Sequence, residues 1–163
     1  MVSLYELQLT GPGRLATMAH PPGGDRLPVA MAALAGAGVD LLVSALCQDE
    51  VAALELADQP AAAARAGIEF VNLPIVDCRV PEPADMPAVR RLVDRLADAM
   101  RADRFVVTHC WAGIGRSSLL AGAALVRLGV DPAEAWRLIR TARGFPVPDN
   151  PDQEAWLYRL ESL

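Results

Sequence analysis

The stretch Phe105-Val106-Val107-Thr108-His109-Cys110-Trp111-Ala112-Gly113-Ile114-Gly115-Arg116-Ser117-Ser118 constrains the fold more than any other part of the chain. Its β-branched, apolar start predicts a buried strand, its two glycines predict a tight loop, and residues 119–126 continue as an apolar helix. That order places a His-Cys pair at the start of the loop and an Arg at the start of the helix.

Each residue type has a physical task there. A thiol has a reference pKa of roughly 8.5, and a helix N-terminus or a nearby cation brings it to about 3.5–7.5 in reactive sites. Cys110 is therefore the candidate thiolate nucleophile. Gly113 and Gly115 are expected to adopt positive-φ conformations, so that the N–H groups of Trp111, Ala112, Gly113, Ile114, Gly115 and Arg116 form an anion-binding nest. The helix starting near Arg116 adds unpaired N–H groups and the positive end of its dipole. The Arg116 guanidinium is a planar fork that grips two phosphoryl oxygens at once, which a Lys cannot reproduce. This layout suits attack on a phosphate monoester.

With those residues quoted, the segment resembles the His-Cys-(five residues)-Arg-Ser/Thr signature of cysteine-dependent phosphatases. The chain is similar to small, atypical dual-specificity members of the protein tyrosine phosphatase superfamily, from about residue 38 to its last helix. The resemblance implies an α/β fold with a mixed central sheet flanked by helices. It also implies a phosphocysteine intermediate and no metal or other cofactor. Ser117 would donate to the Cys110 sulfur, and His109 would hold the loop and tune the thiolate, a role compatible with a partly buried structural histidine. Upstream, Asn72-Leu73-Pro74-Ile75-Val76-Asp77-Cys78-Arg79-Val80-Pro81-Glu82-Pro83 resembles the general-acid loop. Asp77 is the matching acid, with Glu82 and Asp85 as alternatives, and Asp also favours turns for local reasons. Gln153 matches a Gln that orients the hydrolytic water, or is an ordinary first-turn helix residue. Glu50, in the Asp49-Glu50 turn, either braces Arg116 or is a solvated carboxylate at a helix start.

Phosphotyrosine in a protein is the expected substrate. Phosphoserine and phosphothreonine are allowed, because no separate pocket-deepening loop is evident. The loop carries Trp111, Ala112 and Ile114 where lipid-directed relatives often carry Lys, which counts against a phosphoinositide phosphatase. A non-catalytic phospho-residue binding module is the reading from another class, and the presence of Cys110, Asp77 and Arg116 together counts against it.

Composition agrees with one domain over residues 1–163, since 53% hydrophobic residues can bury a full core in a chain of this length. All 15 basic residues are Arg, which together with the abundant Ala reads as a bacterial coding bias. The net charge of −5 argues against a broad nucleic-acid surface. No apolar run is long enough for a membrane span, and the N-terminus lacks a basic region followed by an apolar one. The expectation is a cytoplasmic enzyme with a phosphorylated protein as partner and neither nucleic acid nor membrane; the oligomeric state is not legible. Cys47, Cys78 and Cys110 form neither a metal spacing nor a disulfide framework, and Cys47 or Cys78 is a candidate for a protective disulfide with an oxidised Cys110.

Periodicity predicts short strands at 5–9 and 14–18, a helix at 29–37 and a core strand at 39–46. Helices follow at 49–56 and 61–66, then a strand at 68–73, an amphipathic helix at 88–100, a strand at 105–109 and a helix at 116–128. Asp131-Pro132 and Asn150-Pro151 are helix starts.

Overall fold

A computed structural model describes residues 1–160 of the protein; the last three residues of the expected domain lie outside the described residues. Five strands, β1 (Tyr5–Glu6), β2 (Arg14–Met18), β3 (Leu41–Ser44), β4 (Glu69–Asn72) and β5 (Phe105–His109), form one sheet in the order β1-β2-β5-β3-β4. Only β1 runs antiparallel to its neighbour, so the sheet is mixed.

The central position of β5 follows from its sequence. All five of its residues are buried, and a strand covered on both faces must read as a continuous apolar run. Val106 packs with Leu15, Leu41 and Val43 on one face, while Phe105 and Val107 pack with Ala16, Met18 and Leu42 on the other. The first face is covered by α4 (Met86–Arg101), α5 (Arg116–Arg127), α6 (Pro132–Arg143) and α7 (Pro151–Leu160). The second is covered mainly by α1 (Leu27–Gly36) and α3 (Gln59–Arg65), with α2 (Gln48–Ala53) following β3. Helix α4 buries Val89, Leu92, Val93, Leu96 and Met100, the spacing of a one-sided helix. Helix α5 is buried from Arg116 to Leu125, because α4, α6 and α7 surround it.

Several boundaries differ from the periodicity reading, for definable reasons. The first strand pairs only at Tyr5 and Glu6 and the third only over Leu41–Ser44, where its ladder with β5 ends at His109. Helices α1, α3 and α4 each start two residues earlier than expected, and each carries a proline in its first turn, where the missing N–H costs no helical bond. Helix α2 stops at Ala53, and Glu55 takes a positive φ of 55°. Asp131 caps α6 by accepting from Ala133 N–H at 2.9 Å.

Strands β2, β5 and β3 are parallel, so the segments after them leave from the same edge of the sheet. Their carboxyl ends define the crevice in which open α/β sheets place ligands.

Candidate active site

The segment between β5 and α5 is held from outside. Thr108 Oγ1 donates to Ser117 O at 2.8 Å, which laces the first turn of α5 to the strand. The loop carbonyls face donors elsewhere. Trp111 O accepts from His20 N–H at 3.1 Å, and Gly113 O and Ala112 O accept from Arg143 at 3.2 and 3.5 Å. The Arg143 guanidinium also lies 4.1 Å over the Tyr5 ring. Among the described residues, no acceptor takes the N–H groups of residues 111–116. Backbone donors seldom go unpaired without a ligand or water to receive them. Carbonyls turned outward and unpaired amides left behind are the makings of an anion nest.

The two glycines serve different ends. Gly113 has φ 71°, and a Cβ there would sit 2.6 Å from the Met18 carbonyl carbon, so no side chain fits. Gly115 departs from the expectation of positive φ, with φ −90°. It must be small because a Cβ would overlap the Asp149 carboxylate and approach Gln153 Oε1.

Cys110 is buried, with its Sγ 3.4 Å from Ser117 Oγ. His109 is fully buried behind it, with Nδ1 3.1 Å from Cys110 O and Nε2 2.9 Å from the amide nitrogen of Gln59. Since the Gln59 amide nitrogen donates, Nε2 accepts and Nδ1–H donates to Cys110 O, which assigns the tautomer from its partners. Burial pushes the His109 pKa down to about 4, so the ring is neutral at neutral pH.

Arg116 is 1% exposed and meets four acceptors. Its Nη1 and Nη2 donate to Glu50 Oε2 and Oε1 at 2.7 and 2.8 Å, a two-point pair, and Nη1 also donates to Ile75 O at 2.9 Å. Asp77 Oδ1 lies 3.1 Å from Nη2. Nε is buried without an acceptor. Burial raises the Glu50 pKa, but the bonds from Arg116 and from Cys47 N–H outweigh it and hold the carboxyl below the usual range. Glu50 thus stands paired with Arg116 at the start of α2.

The acid segment contrasts with the loop. Asp77 is exposed and accepts from Cys78 N–H at 3.0 Å. Glu82 and Asp85 are exposed around a short 3-10 turn before α4, and neither bonds to Arg116 or Cys110 among the described residues. Gln153 is buried with both amide atoms engaged: Oε1 accepts from Asp149 N–H at 3.0 Å and Nε2 donates to Arg79 O at 3.1 Å. It therefore ties the acid segment to the turn before α7. Asp149 was not legible as a site residue. Its carboxylate, the Asp77 carboxylate and the Cys78 sulfur, all on exposed residues, place one atom each within 4.8 Å of one another as a group. Cys47, Asp49 and Glu50 form a second group of the same spacing, whose Glu50 is already engaged by Arg116. All three cysteines are free thiols, and Cys47 Sγ donates to Ile75 O at 3.4 Å.

Gln59 and Arg143 also escaped the sequence reading. Gln59 was hidden in an alanine-rich run, where a polar residue normally faces water; Arg143 lies 30 residues from the carbonyl it supports.

The sequence and the fold are matched by known proteins. The family Tc-R-P, described as a polymorphic toxin system DSP-PTPase phosphatase, matches residues 17–130. The chain belongs to that family. It is a phosphatase of the small cysteine-based protein tyrosine phosphatase type. Its fold is similar to kinase associated phosphatase bearing a serine in place of its catalytic-site cysteine, with a TM-score of 0.87 and 19% identity over 99% of this chain and 94% of that one. It is also similar to Tk-PTP in the active form, with a TM-score of 0.75 and 21% identity over 97% of each chain. PTPMT1 in complex with PI(5)P matches with a TM-score of 0.73 and 20% identity over 91% and 90%. No curated protein sequence matches the phosphatase.

Proposed function

We propose that this phosphatase hydrolyses phosphomonoesters in proteins, phosphotyrosine foremost, through a phosphocysteine intermediate and without a metal. The observation that carries the proposal is the buried Cys110 sulfur at the start of a run of N–H groups with no internal acceptor, closed by a guanidinium that Glu50 orients. Cys110 attacks phosphorus as the bond to the leaving oxygen breaks. The nest from Trp111 to Gly115 and Arg116 hold the three equatorial oxygens, where charge gathers in the transition state. Asp77 protonates the leaving oxygen and then takes a proton from the water that cleaves the S–P bond. Ser117 donates to the sulfur as it departs. A water-placing role for Gln153 requires its amide to leave Asp149 or Arg79.

The surroundings favour an aromatic ester. Val76 beside Asp77, Trp111 beside Cys110 and Phe145 beyond α6 are exposed apolar side chains, and between Cys110 and Arg116 the loop carries no cation to meet the added phosphates of an inositol lipid. The family description supports reading the chain as the phosphatase unit of a toxin system whose effect is phosphate removal. Among the described residues no helix is long and apolar enough to cross a membrane.

The test compares wild type and Cys110→Ser on phosphotyrosine peptide, phosphothreonine peptide and inositol lipid, each with and without chelator. Phosphotyrosine turnover should be fastest and unaffected by chelator. It should fall on the order of 10⁴-fold or more in Cys110→Ser, with tungstate binding kept. Turnover that survives Cys110→Ser, or that chelator abolishes, would overturn the proposal.

A further inference from the structure

Asp149 holds a position that the reaction above does not explain. It stands at the turn before α7, with its backbone N–H fixed by Gln153 and its carboxylate packed against Gly115, the residue just before Arg116. Across from it, Asn150 Nδ2 donates to Cys78 O at 2.8 Å and Gln153 donates to Arg79 O, so the turn and the first turn of α7 grip two successive carbonyls of the acid segment. These ties bring the Asp149 and Asp77 carboxylates and the Cys78 sulfur within 4.8 Å of one another.

We propose that Asp149 and Asp77 act as one proton-sharing carboxyl pair, which delivers the proton to the leaving oxygen and recovers one from the attacking water. The inference rests on the phosphatase reading above and assigns its acid to two residues in place of one. A carboxylate this close to a second carboxyl disfavours the ionised form of that second group. The groups facing Asp149 are Asp77 and Cys78 from the acid segment and Arg116 from α5. Arg140 and Glu154 line the groove behind it but pair with each other at 2.9 Å. Burial and the Asp77 charge raise the Asp149 pKa, while Arg116 and the Gln153 contact oppose them without cancelling them. Asp77 instead faces Nη2 of Arg116. Asp149 is therefore the member of the pair that burial and its neighbour's charge push toward the protonated form.

The proton count closes over both steps. In the first, the S–P bond forms, the P–O bond to the leaving group breaks with its electron pair on oxygen, and the pair's proton moves to that oxygen. In the second, the water O–P bond forms, the S–P bond breaks with its electron pair on sulfur, and the water proton returns to the pair. The pair ends as it began.

The experiment has one arm that needs no turnover and one that does. The carboxyl ¹³C signal of Asp149 is titrated in the wild type and in Asp77→Asn, with the midpoint expected at lower pH once the Asp77 charge is gone. An unmoved midpoint overturns the pair. In kinetics, Asp149→Asn should move the acidic-to-neutral fall of kcat/KM on phosphotyrosine to lower pH with phosphate inhibition unchanged, and Asp149→Glu should restore it. Asp77→Asn/Asp149→Asn should lose about tenfold more than Asp77→Asn alone. A pH-independent loss in Asp149→Asn, or a double variant equal to Asp77→Asn, means that Asp149 is structural only and overturns the inference. Absence of turnover in the wild type overturns the phosphatase reading itself, and the titration then decides the pair separately.

Discussion

The proposed phosphate loop and the proposed acid segment meet at one guanidinium yet are built by opposite rules. From Thr108 to Ser118 the loop is held by fixed partners, Glu50 on Arg116, Gln59 on His109, Arg143 and His20 on the loop carbonyls, while Arg116 Nε and Ser118 Oγ are buried without one. From Val76 to Asp85 the chain is mostly exposed and is tied down by Arg116, Asn150 and Gln153. The proposed transition-state cradle works only if its dipoles are aimed before charge develops, which burial and bracing provide. A proton donor must admit substrate and then meet its leaving oxygen, and exposed segments with few buried contacts rearrange at the smallest free-energy cost.

The comparison predicts different signatures for damage on the two sides. Arg116→Lys keeps the charge but loses the planar fork, so kcat should fall about 10³-fold on every substrate, with KM changed far less. Steady-state kinetics on a good and a poor leaving group checks this. A loss confined to KM would make Arg116 a ground-state binder and blur the contrast.

Asp77→Asn should discriminate where Arg116→Lys does not. Phosphotyrosine turnover should slow by about 10²-fold, while an activated aryl phosphate, whose leaving group is already stable as an anion, should slow by less than about tenfold. Equal losses on both would remove proton transfer from the acid segment's role.

The smallest effect on catalysis should come from His109→Asn, which can keep a donor to Cys110 O; its signature is in stability. His109 has a folded pKa of about 4 against roughly 6.5 when unfolded, so the unfolded state takes up the proton first. Stability from the neutral ring is fully present above about pH 6.5 and is lost as pH falls toward 4, by roughly 3 kcal/mol. Glu6, Glu50 and Glu69 are held low by arginines, so their losses start only at more acidic pH. Denaturant midpoints at pH 7 and pH 5 should differ less in His109→Asn than in the wild type. An unchanged difference would show that the brace behind Cys110 is not a buried neutral imidazole.

The sequence by itself determined the parts whose information is local. Strand β5 and the start of α5 fall where periodicity places them, because a strand buried on both faces and an apolar helix announce themselves within a few residues. The Cys110 to Ser117 signature was legible for the same reason. The prolines at positions 28, 60 and 87 hid three helix starts, since the same ring that breaks a helix interior suits its first turn. Tertiary structure alone decided what surrounds the loop. Glu50 lies 66 residues from Arg116, Gln59 lies 50 from His109 and Arg143 lies 30 from Gly113, and the sequence carries no signal of such pairings until the sheet order sets their elements side by side. Asp149 is the clearest case. As a residue in a proline-rich turn it reads as a loop carboxylate, and only the packing of that turn against Gly115 and Asp77 gives it neighbours that alter its proton affinity. Backbone preference is written residue by residue, whereas electrostatic environment is a property of the neighbours the fold supplies.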